Sequence, residues 1–151
     1  MRYHVLLLTF FTMGLYASTT NITVDQTATQ TLRIIISVVV NDTLLFPKII
    51  QGTLPSVTSE DSGIAGSVGH NASLTTTGSP SLTYTVLGVD SMTLTSGGNT
   101  INVTLAFKTG TANRTLDGSG SDTFQIVGTA NVSGKPNGTY TGTRDVNVAY
   151  N

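Results

Sequence analysis

The last fourteen residues, Gly138-Thr-Tyr-Thr-Gly-Thr-Arg-Asp-Val-Asn-Val-Ala-Tyr-Asn151, restrict the fold more than any other stretch. Tyr140, Gly142, Arg144, Val146, Val148 and Tyr150 share one parity, and Thr, Asp and Asn fill most of the other. Period two over such a length predicts a β-strand with one face on a core. The sequence stops on this strand, which is therefore expected to border an unfinished sheet that another chain completes.

The remainder is read in the same terms. From residue 18 to 40 the apolar residues Ile22, Val24, Ala28, Leu32, Ile34, Ile36, Val38 and Val40 all fall on even positions. Leu32–Val40 is apolar on nearly both faces and reads as a buried first domain strand. Ser18–Gln30 is polar apart from a thin apolar stripe and reads as an extended segment before the domain. Leu44–Ile50 is expected to be a short strand broken by Pro47. Short strands are also expected at Leu74–Thr77, Leu82–Leu87, Ser91–Thr95 and Thr123–Ser133. Gly97-Gly98-Asn99 signals a tight hairpin into Thr100–Phe107, where Ile101, Val103, Leu105 and Phe107 alternate. No helical period follows Ala17, so the fold class is all-β, a sandwich of short strands.

Composition agrees. The chain has 151 residues, of which only 10% are charged, with a net charge of −1. It is large enough for one buried core, too apolar for disorder, and offers no basic patch for nucleic acid. Met1–Ala17 carries one Arg, an apolar run and then small residues, the pattern of a secretory signal too short to span a membrane. The expected organisation is a signal at 1–17, an extension at 18–30 and a sandwich domain at 31–151. Cysteine is absent, so strand pairing and burial must hold an exported domain together.

Catalytic groups are sparse. His70 is the one histidine outside the expected signal, and it sits in a Gly/Asn loop. Glu60 and Asp61 are adjacent and read as a solvated loop rather than a converging pair. Asp117 and Asp122 bracket a Gly/Ser loop without a calcium-loop pattern. No catalytic residue, metal ligand or cofactor is assigned, and the chain is read as a non-enzyme. The richest local motif is Asn-x-Ser/Thr, at Asn21, Asn41, Asn71, Asn102, Asn113, Asn131 and Asn137. Ten Asn and 42 Ser and Thr give seven triplets where chance gives about three. Either the Thr-rich strands generate the triplets, or the surface carries N-glycans.

Taken together, the two ends resemble those of chaperone–usher pilins, which end in an alternating strand with a penultimate Tyr and a Gly fourteenth from the C-terminus. Tyr150 and Gly138 occupy those places. The chain is also similar to an uncharacterised bacterial family of exported β-domains, matched at Gly138-Thr-Tyr-Thr-Gly142, at Val146-Asn-Val-Ala-Tyr-Asn151 and in Leu45–Gly52. Pro47 stands there where Gly is usual, and the disulfide of many pilins is missing.

The resemblance implies an incomplete immunoglobulin-like sandwich. Its groove would lie between the C-terminal strand (Gly138, Tyr140, Val146, Val148, Tyr150 and Asn151) and the first strand (Leu32, Ile34, Ile36, Val38 and Val40). The extension would be a donor strand inserting Thr20, Ile22, Val24, Gln26 and Ala28 into a neighbour. A periplasmic chaperone would cover the groove during export and contact Asn151, and an outer-membrane usher would assemble the subunits. The expected function is a secreted, cell-surface pilus subunit polymerised head-to-tail by donor-strand complementation. Two alternatives stand beside it: an N-glycosylated surface thread or coat protein assembled by strand exchange without a chaperone, and a monomeric surface binding module.

Overall fold

The computed structural model describes residues 18–22, 28–32 and 35–151. The described residues fall into two units, β1 and β2 in the first and residues 36–151 in the second. The expected secretory signal lies outside the described residues, as do Val24, Gln26 and Ile34.

In the first unit, β1 (Ser18–Ile22) pairs antiparallel with β2 (Ala28–Leu32), Ser18 facing Leu32 and Ile22 facing Ala28. This corrects the single extended segment expected over Ser18–Gln30. A lone strand leaves its backbone N–H and C=O groups unpaired, and a hairpin satisfies them locally. Leu32 accordingly belongs to β2 and not to a continuous strand reaching Val40.

The second unit is a β-sandwich. Its larger sheet has the order β3 (Ser37–Asp42), β5 (Ala72–Thr77), β10 (Ser121–Asn131), β8 (Asn99–Phe107), β7 (Ser91–Ser96), all antiparallel. The short β4 (Ser56–Thr58) pairs with β10 at Thr129–Asn131, beyond the reach of β5. The second sheet is β11 (Asn147–Tyr150), β6 (Thr83–Leu87), β9 (Asn113–Thr115). Among the described residues there is no α-helix, only one 3-10 turn at Ile64–Gly66.

Alternation decides what each strand buries. Ile101, Val103 and Leu105 of β8 share one buried cluster with Phe124, Ile126 and Ala130 of β10 and Leu74 of β5, from the same sheet, and with Tyr84 and Val86 of β6, from the other. Each of its Val, Leu, Ile and Phe side chains contributes about 1.5–3 kcal/mol when fully withdrawn from water. The β7–β8 hairpin turns on Gly97 and Gly98, both at positive φ, as a two-residue loop following the twist of its strands requires. Leu44–Ile50 is not a strand; only Leu45 bridges, to His70, while Leu44 and Phe46 pack on the core beside Gly128.

Candidate functional site

The C-terminal alternation is divided between the two sheets. Thr141 forms an isolated bridge with Thr95 of β7, through N–H···O bonds of 2.8 and 3.1 Å. Gly142 lies against the Thr93 carbonyl, where a Cβ would collide. Tyr140 donates its hydroxyl to the Pro136 carbonyl at 2.9 Å. Arg144 reaches out to the Gly88 carbonyl (3.0 Å) and Asp90 (2.5 Å), and Gly88, at φ +89°, lets the Asp145 carbonyl come close. Only then does β11 begin. Residues 138–146 are thus a strap along β7 rather than the first half of a strand, a correction to the sequence reading. Hydrogen bonds to β7 and the close approach at Gly142 outcompete continued pairing with β6.

β11 pairs with β6 on one side, and β3 with β5 on one side; no described strand pairs with their other edges. The two edges meet at one pole. Ser37, the first residue of β3, faces Thr77 of β5. Tyr150, near the end of β11, has its phenol over Gly78, and its oxygen accepts the Ser79 N–H at 2.6 Å. A side chain at residue 78 would occupy the phenol's place. β3 therefore sets out from the pole at which β11 arrives.

Along these edges Ile36, Val38, Val146, Val148 and Tyr150 pack on the core while remaining only partly buried. Val39 and Val40 are 60% and 57% exposed. Val40 shares the parity of Ile36 and Val38, but a bulge between Val40 and Asp42 breaks the alternation. Asn151 donates its N–H to Thr83 at 3.2 Å and accepts the Thr85 hydroxyl at 2.5 Å.

Behind the edges a polar clamp ties the sheets. Tyr84 of β6 donates its hydroxyl to Asp122 of β10 at 2.6 Å, and Arg114 of β9 grips the same carboxylate at 2.5 and 3.2 Å. The guanidinium lies 5.0 Å over the Phe124 ring, within cation–π range. Burial alone would raise the Asp122 carboxyl, but the bonds from Arg114 and Tyr84 outweigh it and hold it below its ordinary range. Burial first, then the bond to Asp122, pushes the Tyr84 phenol up. Asp122 is therefore no partner of Asp117 in a metal loop. Asp117 instead accepts the Ser119 and Ser121 N–H groups, both at 2.8 Å, and closes its own turn. Among the described residues no group of three or more His, Cys, Asp or Glu could hold a metal ion.

Glu60 is not merely solvated. It meets Lys108 at 2.8 Å and accepts the Asn71 amide at 2.8 Å. Of the other sequon residues, Asn41 donates to Thr75 (2.8 Å), Asn113 accepts from Thr85 (2.8 Å) and Asn131 accepts the Ser133 N–H (3.3 Å). Asn102 and Asn137 are exposed, and Asn21 lies on β1.

A family model described as a domain of unknown function, DUF4402, matches residues 36–150. No curated protein and no solved structure matches the chain.

Proposed function

The chain belongs to the DUF4402 family, and from that premise we propose that it is a structural subunit of a cell-surface filament, joined head-to-tail by donation of a strand. The observation carrying this reading is the pair of β3 and β11 edges, set beside one another and backed by the half-covered Ile36, Val38, Val146, Val148 and Tyr150. Edges of this kind recruit a further strand, which satisfies their backbone groups while alternate side chains fill the apolar gap. The donor is Ser18–Gln30 of a neighbouring subunit, with Thr20, Ile22, Val24, Gln26 and Ala28 on its inserting face. Ile22 and Val24 would each contribute about 1.5–3 kcal/mol on full burial. A one-residue slip would substitute Thr23 and Asp25, so the register is well specified. Donation of this kind does not close on itself, and the product is a filament.

In this scheme β1–β2 is the resting form of the donor. Five registered pairs of the hairpin are exchanged for pairing along two edges of the neighbour. A chaperone covering the same edges before assembly would serve the same physical need.

The test is a variant lacking Ser18–Gln30, expressed in the native host and viewed by electron microscopy. The subunit should still be exported and folded, and filaments should vanish. A synthetic peptide of residues 18–30 should then bind the truncated domain and raise its melting temperature. Filaments of normal length from the truncated chain would refute the proposal.

A further inference from the structure

The turn after β4, the start of β5 and the end of β8 bring together three side chains whose combined chemistry no part of the assembly reading uses. Glu60 Oε1 lies 2.8 Å from Lys108 Nζ, and the same oxygen accepts Asn71 Nδ2 at 2.8 Å. The other end of the Asn71 amide is held as well. Its Oδ1 accepts the hydroxyl of Ser59 at 2.6 Å, and Ser59 is fully buried and fixed by the Gly128 N–H, which donates to its Oγ at 3.1 Å. The amine, the carboxylate and the amide share one depression with Asp42, His70 and Gln125.

We propose that Lys108 and Asn71 are the two halves of an intramolecular isopeptide bond, with Glu60 as the proton-transfer residue. The Lys108 ammonium first gives a proton to solvent. The neutral Nζ then adds to Asn71 Cγ, whose carbonyl oxygen the Ser59 hydroxyl polarises, as an oxyanion donor does. A second proton passes from Nζ through Glu60 to Nδ2, the Cγ–Nδ2 bond breaks, and ammonia leaves. One lysine ammonium and one carboxamide become one secondary amide and one ammonium ion, with no oxidant or cofactor.

The placement suits each role. Hydrogen bonds from Lys108 and Asn71 hold the Glu60 carboxyl below its ordinary range, so it is ionised and able to take a proton. A shared oxygen between nucleophile and leaving group is what a proton shuttle requires. Because a lysine ammonium must first deprotonate, the reaction quickens as pH rises, with Asp42, Glu60 and His70 the titratable groups around it. The product would staple β5 to β8 across the central β10, since β10 pairs with both. The inference holds whether or not the chain polymerises.

The full-length chain from its native host, and the recombinant chain incubated at alkaline pH, would be examined by intact mass and by tandem mass spectrometry of its peptides. The expected result is loss of one ammonia together with a Lys108–Asn71 cross-linked peptide. Lys108→Arg should abolish the cross-linked peptide and the ammonia loss at Asn71, and Glu60→Gln should slow linkage about 100-fold. Circular dichroism must show both variants folded. An unchanged mass after alkaline incubation overturns the proposal. Ammonia loss located on the Asn71 peptide that persists in Lys108→Arg also overturns it, since Asn71 would then be forming a succinimide, whereas loss at Asn137-Gly138 is read separately from its own peptide. A glycan on Asn71 does so too, because it occupies the same nitrogen.

Discussion

Replacing Asp122 with Asn should destabilise the domain markedly, because its carboxylate receives both Arg114 and Tyr84. Asn keeps the size and shape of the side chain but puts an amide NH2 where a carboxylate oxygen receives Arg114 or Tyr84. Removing one partner of a buried ion pair costs about 3–5 kcal/mol because the survivor is stranded. Here the side chains retain 15% and 18% exposure, so water recovers part of that loss, and about 2–3 kcal/mol is expected. For a domain near this size the melting temperature should fall by about 10 °C. Urea unfolding of the wild type, Asp122→Asn, Arg114→Met and the double variant completes the cycle. The double variant should be less destabilised than the sum of the singles by about 1–3 kcal/mol. A loss under about 0.5 kcal/mol for Asp122→Asn, or strict additivity, would refute the clamp.

The same group sets an acid limit. Its carboxyl is lowered in the folded state, so its stabilisation is complete above the unfolded carboxylate range near about 4 and disappears as pH falls through the folded value. Asp122→Asn should flatten the acid side of a stability–pH curve measured by urea titration. The Tyr84 phenol is raised, so its contribution is present below about 10 and lost as pH rises past it; Tyr84→Phe should remove that alkaline dependence in the same titration. Gly142→Ala should force the strap away from the Thr93 carbonyl and cost about 1–3 kcal/mol, read as a lower melting temperature. Tyr150→Phe should cost about 1 kcal/mol through the unpaired Ser79 N–H, and increase hydrogen exchange at that amide.

Much of the sandwich was legible because period two is a direct record of a half-buried sheet. The β7–β8 hairpin shows this, with its paired glycines and with Ile101, Val103 and Leu105 alternating against Asn102 and Thr104. β4 and β9 escaped notice because three residues carry no period. The strap escaped for the opposite reason. Residues 138–146 alternate as a strand would, and only the proximity of β7 decides where their hydrogen bonds go. For the clamp a signal did exist. Asp122 has the parity of Phe124 and Ile126, and an acid on the inward parity of a strand calls for a buried partner. No such signal could have joined Glu60, Asn71 and Lys108, which come from three separate segments.

The central place of β10 has a consequence for time rather than for stability. Every strand of the larger sheet except β3 and β7 pairs directly with it. Its pairings of Phe124 with Leu74 and of Ala130 with Val57 span roughly 50 and 70 residues of chain, separations typical of slow, topology-limited folding. Before β10 is available, residues 36–120 can pair β3 with β5, β6 with β9 and β7 with β8, but these three pairs share no strand. The larger sheet therefore closes only when β10 inserts between β5 and β8 and joins the separately formed pairs.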